Sequence, residues 1–257
     1  STKLQEEEAI KLVNQVKAIA PFLSEQDNRK YYACNISSLS DIDKSAMVER
    51  HIVSPLLAAK EQTTGLILSE DETISVMINE EDHVRIQAIV GGMNLELAYE
   101  LADKVDDIAY DKLHFAYDEK YGYLTECPTN AGTGMRASCM VFLPALSSAR
   151  LIQKLIEEVG KYGMTIRGIY GEGSKSLGHM YQISNQKTLG NSEREILENL
   201  KRIVSQVVKQ ERKRREFFRG TRYIFLFILY SLHKLASLMN QTYHIIYTLL
   251  SKNIYNP

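Results

Sequence analysis

The 257-residue sequence has no excess charge of either sign and few cysteines. Its formal net charge is -1, so no global field favours nucleic acid or an anionic membrane, and any anion site must be a local cluster of Arg and Lys. The three cysteines, Cys34, Cys127 and Cys139, lack Cys-x-x-Cys spacing. This argues against a disulfide scaffold and a zinc site, and it fits a reducing cytoplasm. No signal peptide is visible, because residues 1–18 are charged and amphipathic.

A long apolar run is also lacking, although the end of the chain comes closest to one. Seven basic residues lie between Lys209 and Arg222, and the apolar run that follows, Tyr223 to Tyr230, has only eight residues. A membrane-spanning helix needs roughly 20 apolar residues, so a membrane partner is not expected. Two interpretations of residues 217–257 stay open, a membrane anchor and out-of-frame translation of AT-rich DNA.

The rest of the composition is typical of a soluble globular protein, with 44% hydrophobic and 25% charged residues. Apolar spacing predicts five helices and five strands, without regular βαβ alternation and with short turns between several strands. We therefore predict an α+β fold with an antiparallel sheet flanked by helices. The predicted helices are 6–19, 43–53, 94–113, 151–159 and 192–215, and the strands are 74–78, 84–90, 135–143, 165–170 and 180–184. Pro21 is expected to stop the first helix, and Ser192 with Glu195 three residues later forms a capping box at the start of the last one.

Three arginines, Arg85, Arg136 and Arg167, each lie on or next to a predicted strand and close to a turn. If these strands share a sheet, the three guanidinium groups could converge on one anion, and their planar forks suit phosphate oxygens. The alternative is three surface arginines paired with carboxylates. Spacing alone does not decide between the two.

Carboxylates are clustered between two predicted strands, in residues 79–83, Asn-Glu-Glu-Asp-His. Such a run is usually a solvated turn, and the alternative is that one carboxylate faces inward to hold a cationic substrate. Two glycine-containing segments, 132–134 and 171–174, indicate simple turns or flexible loops, the second of which carries Glu172.

Five strings in this order and at this spacing resemble the catalytic domain of the phosphagen (ATP:guanidino) kinase family. Any one of them is weak, but together they span residues 79–190, and the resemblance extends over roughly 1–215. The strings are Asn79-Glu-Glu-Asp-His83, Cys127-Pro-Thr-Asn130, Gly132-Thr-Gly-Met-Arg-Ala137, Arg167-Gly168, and Ile183-Ser-Asn185 with Leu189-Gly190.

The resemblance implies roles for individual residues. Glu81 matches the catalytic carboxylate that grips and helps deprotonate a guanidinium, and Glu172 matches a second carboxylate on the same group. Cys127 matches the family's reactive cysteine, whereas His83 is interpreted as structural and Cys34 and Cys139 as core-filling side chains. His51 could also be an ordinary histidine at a helix end. The implied nucleotide-binding residues are His51, Arg85, Arg136, Ala137, Ser138, Cys139, Met140, Arg167, Gly168, Ile169, Tyr170, Gly171 and Glu172.

Within the family, residues 167–174 look like those of the bacterial protein-arginine kinases. The resemblance then implies ATP-dependent phosphorylation of exposed arginines on protein substrates in the cytoplasm. It implies Mg²⁺ bridging the phosphates, with no metal ligand assigned among the protein residues, and it suggests a homodimer and a stress-response partnership with a protease and a repressor. Two alternatives are a kinase of free arginine or another guanidino metabolite, and a non-catalytic module that binds a nucleotide or a partner.

The chain departs from the family's pattern at both ends. The family's Arg-rich strand is expected ahead of Ser1, and its absence is expected to leave a sheet neighbour unpaired. The helical domain that follows the catalytic domain in protein-arginine kinases is not recognisable after Phe217. We therefore divide the chain into a catalytic domain, 1–216, and an atypical tail, 217–257, and expect a fragment or the product of a damaged frame.

Overall fold

The computed structural model describes residues 4–168, 178–219 and 245–252. Within these ranges the chain forms helices and strands with the following bounds. The helices are α1 Glu6–Lys17, α2 Ala20–Asp27, α3 Asp41–Glu49, α4 Pro55–Ala59, α5 Leu95–Lys112, α6 Pro144–Ser148, α7 Ile152–Gly160 and α8 Glu193–Arg219. The strands are β1 Tyr31–Asn35, β2 Gly65–Ser69, β3 Ile74–Ile78, β4 Val84–Gly91, β5 Tyr117–Asp118, β6 Gly122–Tyr123, β7 Met135–Phe142, β8 Met164–Arg167, β9 Met180–Asn185 and β10 Ile245–Lys252.

Eight of the strands form one sheet in the order β1-β2-β3-β4-β10-β7-β9-β8, and every neighbouring pair is antiparallel. Strands β5 and β6 form a separate short hairpin. Helices α5 and α8 pack against the central strands of the large sheet. The predicted α+β class, an antiparallel sheet flanked by helices, is confirmed.

The two faces of the sheet differ because successive side chains of a strand point to opposite sides. One face joins the main hydrophobic core with the helices, and on β4 it carries Val84, Ile86 and Ala88. The opposite face carries the residues between them, including Arg85 and Gln87. Near β1 to β3 that second face is covered by a smaller apolar cluster that contains residues of the 36–57 segment. Over β4 and β7 it presents polar side chains.

The first predicted helix and the last one end at different residues from those expected. Pro21 was predicted to follow the end of a long first helix, but it lies in the first turn of α2, where its missing N–H removes no helical hydrogen bond. The predicted capping box of α8 is confirmed: the Ser192 N–H donates to Glu195 Oε2 over 2.8 Å, and the Glu195 N–H donates to Ser192 Oγ over 3.3 Å. This helix continues to Arg219, beyond the predicted end.

Strand β10 comes from the segment predicted to be an atypical tail. It pairs through eight residues with β4 and through five with β7. The described sheet ends at β1 and β8, and the expectation that the absent Arg-rich strand leaves a neighbour unpaired stays a prediction. The division of the chain at residue 216 stays a prediction. Among residues 4–168, 178–219 and 245–252, no helix has the length and apolar character needed to cross a membrane, and the apolar run 223–230 lies outside these residues.

Candidate active site

The acidic segment 79–83 is the five-residue loop of the hairpin between β3 and β4. The Asn79 N–H donates to the His83 carbonyl over 2.9 Å and closes the loop, while Asn79 itself takes a left-handed φ of 61°. Glu80 and Asp82 are each only 2% exposed, and Glu81 between them is half-buried. The solvated-turn interpretation is therefore wrong for this segment. Burying carboxylates costs free energy unless they are hydrogen-bonded, so the burial needs partners.

Several groups from outside the hairpin hold this loop. Lys60 Nζ donates to the carbonyls of Asn79 and Glu80 over 2.6 and 2.7 Å, and Asn79 Nδ2 donates to the Thr63 carbonyl over 2.7 Å. Burial lowers the pKa of Lys60, opposed by the charges of nearby carboxylates. The backbone on the N-terminal side of Glu81 is thereby fixed before any substrate binds, which is the kind of preorganisation that a catalytic carboxylate requires.

Glu80 determines the position of Arg85. Arg85 Nη1 lies 2.8 Å from Glu80 Oε1 and 2.6 Å from Oε2, and the Ser54 hydroxyl also donates to Glu80. The alternative of arginines paired with carboxylates thus applies to Arg85. Pairing with a buried carboxylate fixes the guanidinium of a side chain that remains 25% exposed, which suits a positioned phosphate ligand as well as a structural ion pair.

The three candidate arginines lie on the same face of one sheet. Arg85 of β4 is opposite Ser251 of β10, and Arg136 of β7 is opposite Leu249, so the two arginine Cα atoms lie about 12 Å apart. Arg167 of β8 is opposite Gln182 of β9, and its Cα lies about 16 Å from that of Arg136. The condition that their strands share one sheet is met, and Arg85 and Arg136 lie nearer to each other than either does to Arg167. That the three bind one anion stays a prediction.

His51 lies on the same side of the sheet as Arg85. The Gln87 side chain, two residues after Arg85 on β4, donates through Nε2 to the His51 carbonyl over 2.7 Å. His51 takes a left-handed φ of 60° just after α3, and burial lowers the pKa of its imidazole. A neutral imidazole near the arginine face fits the nucleotide contact predicted for His51, and that contact stays a prediction.

Residues 137–140, predicted to bind the nucleotide, are buried in β7. Ala137 and Cys139 belong to the core on the helix side, and burial raises the pKa of the Cys139 thiol to about 12, in agreement with a core-filling role. Ser138 and Met140 alternate onto the arginine face. Ser138 Oγ accepts a hydrogen bond from Gln182 Nε2 over 2.9 Å. Their contact with a nucleotide stays a prediction.

Cys127 lies beside the acidic loop. Its neighbour Glu126 donates its N–H to Asp82 Oδ1 over 2.7 Å, which joins the segment carrying Cys127 to the loop carrying Glu81. Cys127 Sγ lies 2.9 Å from Thr129 Oγ1. The structure therefore joins the segments that carry two of the three predicted catalytic residues, Glu81 and Cys127, and their catalytic roles stay predictions. The third, Glu172, lies outside the described residues, as do Ile169, Tyr170 and Gly171, and Gly168 is the last described residue before them.

The glycine-containing string that ends at Ala137 packs against the one that ends at Gly190. Thr188 Oγ1 donates to the Thr129 and Ala131 carbonyls over 2.9 and 2.5 Å. A Cβ on Gly132 would lie 2.8 Å from the Thr188 carbonyl oxygen, and Gly132 has a φ of 99°, so only glycine fits there. The strings that carry the family resemblance are thus in physical contact.

Four residues of the site had no predicted role: Lys60, Glu80, Asp82 and Asn185. Asn185 Oδ1 accepts from the Ala137 N–H over 2.8 Å, and its Nδ2 donates to the Met135 and Lys187 carbonyls over 3.1 and 3.0 Å. It therefore holds the peptide groups on both sides of Arg136. Asn185 belonged to a recognised string, whereas no local signal indicated that Lys60 reaches a loop some 20 positions along the chain.

Replacing Asn185 with Ala should lower the free energy of unfolding by about 2–3 kcal/mol, because it leaves buried donors and acceptors of β7 without partners. Urea unfolding followed by circular dichroism measures the change. The control is Asn199→Ala, which removes a hydrogen bond from an exposed side chain to the Tyr162 carbonyl. Equal, small changes in the two variants would show that Asn185 does not brace β7.

Comparison with known proteins agrees with this geometry. The family model described as ATP:guanido phosphotransferase, C-terminal catalytic domain, matches residues 11–214. A curated protein-arginine kinase of Halothermothrix orenii is 47% identical over 199 residues, which are 77% of this chain and 57% of the relative. One of Clostridium kluyveri is 48% identical over 211 residues, 82% of this chain and 61% of the relative. The chain thus spans about three fifths of the length of these relatives.

Solved structures show the same fold. The duplicated taurocyamine kinase of Schistosoma mansoni, with bound transition-state-analogue components, is 28% identical with a TM-score of 0.70 over 84% of this chain and 31% of that one. A lombricine kinase shares the fold at 23% identity, with a TM-score of 0.65 over 81% of this chain and 60% of that one. The chain therefore belongs to the ATP:guanido phosphotransferase family, whose catalytic-domain model covers most of its length.

Proposed function

We propose that this chain carries the site for phosphoryl transfer from ATP to a guanidinium nitrogen of arginine side chains in proteins. The observation that carries the proposal is the buried acidic loop around Glu81. It lies beside Cys127 and adjoins β4, on the sheet whose one face carries Arg85, Arg136 and Arg167. The two reactants of such a transfer are a cationic guanidinium and the anionic phosphates of ATP. The carboxylate loop would bind the first, and the adjoining face with its arginines would bind the second.

The role proposed for Glu81 follows from the chemistry of the acceptor. A guanidinium is protonated at neutral pH and is a poor nucleophile until it gives up a proton. Glu81, half-buried and fixed by its loop, would orient the guanidinium by hydrogen bonds and accept that proton as the nitrogen attacks phosphorus. Glu172 would hold the other edge of the same group, which stays a prediction.

The arginine face would bind ATP through its phosphates. Guanidinium groups of Arg85, Arg136 and Arg167 match phosphate oxygens in charge and shape, and they would stabilise the charge of the transferred group. Mg²⁺, when bound, neutralises phosphate charge. Among the described residues no group of three His, Cys, Asp or Glu side chains could hold a metal ion.

Cys127 would act electrostatically rather than as a covalent nucleophile. Its thiol lies in the segment that Asp82 holds beside Glu81, and Thr129 lies within hydrogen-bonding distance of its sulfur. A thiolate at this position would favour a bound guanidinium and would also be oxidisable. We place the protein in the cytoplasm and expect a homodimer, in keeping with the family resemblance.

Protein arginine is favoured as the acceptor because the curated relatives between 41% and 49% identical to this chain are named protein-arginine kinases. A free guanidino metabolite is the second candidate, since a structural neighbour 28% identical to the chain is named a taurocyamine kinase. A module that binds ATP without transferring phosphate is the third.

A competition assay separates these candidates. The chain is incubated with γ-labelled ATP, Mg²⁺, a basic test protein and an excess of free arginine. We expect label on the protein, little affected by free arginine. Label transferred to free arginine instead would favour the metabolite kinase, and measurable ATP binding without label on either acceptor would favour the non-catalytic module.

A further inference from the structure

Asp82 forms a link between two loops of the site. Its side chain starts in the hairpin loop that carries Glu81, is only 2% exposed, and accepts the Glu126 N–H through Oδ1 over 2.7 Å. Glu126 itself is an exposed residue directly before Cys127. A buried carboxylate of the hairpin loop thus holds the backbone of an exposed segment at the position next to the thiol.

Further hydrogen bonds of this loop act at other positions. The Leu124 N–H donates to the Ala116 carbonyl over 2.9 Å, which ties the loop to the segment before β5 rather than to the hairpin of Glu81. Thr188 binds the Thr129 and Ala131 carbonyls on the C-terminal side of Cys127. Thr125 Oγ1 donates to the Cys127 carbonyl over 2.7 Å, but this bond is internal to the loop and does not connect it to the sheet. On the N-terminal side of Cys127, the Asp82–Glu126 hydrogen bond therefore joins the loop to the hairpin of Glu81.

The choice of a carboxylate at position 82 does not favour stability. Burial raises the pKa of Asp82 to about 6, the Glu126 N–H opposes this rise, and the charges of Glu81 and Glu126 add to it. Compared with the unfolded chain, the folded chain therefore favours the protonated form of Asp82. The stability that this protonated form contributes is fully present below the ordinary aspartate pKa, and it is lost as the pH rises through about 6. A carboxylate at position 82 therefore lowers stability at neutral pH, and residues that lower stability are typical of functional sites.

We propose that Asp82 is a positioning residue that fixes Cys127 relative to Glu81 by holding the Glu126 N–H. The effect on catalysis rests on the proposed function, whereas the effect on the loop does not. Asp82 acts through Glu126 and contacts neither reactant. Loss of its acceptor oxygen frees the N-terminal side of the Cys127 loop, so that the thiol is no longer held in one position relative to the loop that carries Glu81.

The test compares four variants of the full chain. Asp82→Ala removes the acceptor, Asp82→Asn keeps an oxygen that can accept the same bond, and Glu126→Pro removes the donor and leaves Asp82 in place. The matched control is Asp71→Ala, which removes an acceptor of the Thr73 N–H in the turn at the other end of β3. Two readouts are used without nucleotide: amide hydrogen exchange of the 124–128 peptide, and the rate of Cys127 alkylation by iodoacetamide, followed by peptide mass spectrometry.

We expect Asp82→Ala and Glu126→Pro to speed up both processes at least about tenfold, in proportion to the loss of one hydrogen bond. Asp82→Asn should restore rates close to those of the parent chain, and Asp71→Ala should not change them. Parent rates in both Asp82→Ala and Glu126→Pro would overturn the proposal. If Asp82→Ala does not fold, the exchange and alkylation rates of Glu126→Pro are compared with those of Asp82→Asn. Equal, parent-like rates in these two variants would overturn the proposal.

The two proposals fail separately. If the parent chain transfers no phosphate to arginine but Asp82→Ala and Glu126→Pro still loosen the loop, the positioning role stands and the proposed function does not. If arginine phosphorylation is found, Asp82→Ala should lower kcat more than it raises KM for ATP, and Asp82→Asn should recover most of it. A parent-like kcat in Asp82→Ala would overturn the catalytic part.

The stability of Asp82→Asn provides a pH-dependent check. Asparagine does not ionise, so the Asp82→Asn variant avoids the loss of stability that the parent chain undergoes as the pH rises through about 6. The urea midpoint of Asp82→Asn should exceed that of the parent chain at pH 8, and this advantage should shrink toward pH 5. An advantage that is the same at both pH values would contradict the burial of a titrating carboxylate at this position.

Discussion

Replacing Glu81 with Gln should lower the rate of arginine phosphorylation by at least about a hundredfold, the range typical of a lost general base. Glutamine has nearly the same shape, but it neither attracts the guanidinium charge nor accepts its proton. Because Glu81 is half-buried and its loop is held by contacts of Asn79, Glu80 and Asp82, the fold should be preserved. Initial rates at saturating ATP measure the effect.

The control for this variant is Glu119→Gln in the β5–β6 hairpin, which removes the same charge from an exposed position. It should retain parent activity, and both variants should unfold at the parent urea concentration. Retained activity in Glu81→Gln would show that another group accepts the proton. A large loss in both variants would indicate a general effect of charge rather than a catalytic role for Glu81.

Removing residues 220–257 should abolish cooperative folding. This deletion takes away β10, which pairs with β4 and β7 at the centre of the sheet, and it leaves both strands with unpaired backbone groups. Each buried, unsatisfied group costs about 1–3 kcal/mol, so several together exceed the roughly 5–15 kcal/mol by which a domain is stable. Urea unfolding and analytical gel filtration should show no single transition and an aggregated chain.

The matched control removes residues 253–257 alone, which leaves β10 complete. That variant should unfold at the parent midpoint. If the chain without 220–257 also unfolds cooperatively at the parent midpoint, β10 is not needed for the sheet, and the two halves of the sheet must be stable without it. The family model ends at residue 214, so this experiment tests a strand that lies outside the matched region.

The helices and most strands could be predicted because their signals are local. Alternation in 74–78 and 84–90 indicated the two strands of the acidic hairpin, and the structure gives β3 and β4 almost the same bounds. Pro21 misled the prediction because a proline both ends one helix and suits the first turn of the next. The position of β10 could not be predicted, since its pairing joins residues more than 100 positions apart.

The site was predictable in its residue types but not in its burial. Three consecutive carboxylates are usually solvated, and only the tertiary partners Lys60, Ser54 and Arg85 explain why Glu80 lies inside. The role of Asp82 could not be predicted either. Its partner is the backbone N–H of Glu126, and a backbone group gives no signal in the sequence. The family strings indicated Glu81 and Cys127, and the structure adds the hydrogen bond between their neighbours Asp82 and Glu126.

The most direct test of the account is mass spectrometry of an arginine-rich test protein after incubation with this chain, ATP and Mg²⁺. The samples are kept at neutral to basic pH because phosphoarginine is acid-labile. The account predicts phosphate on arginine side chains with the parent chain and none above background with Glu81→Gln. Absence of phosphoarginine from a folded parent chain that binds ATP, or equal phosphorylation by Glu81→Gln, would contradict it.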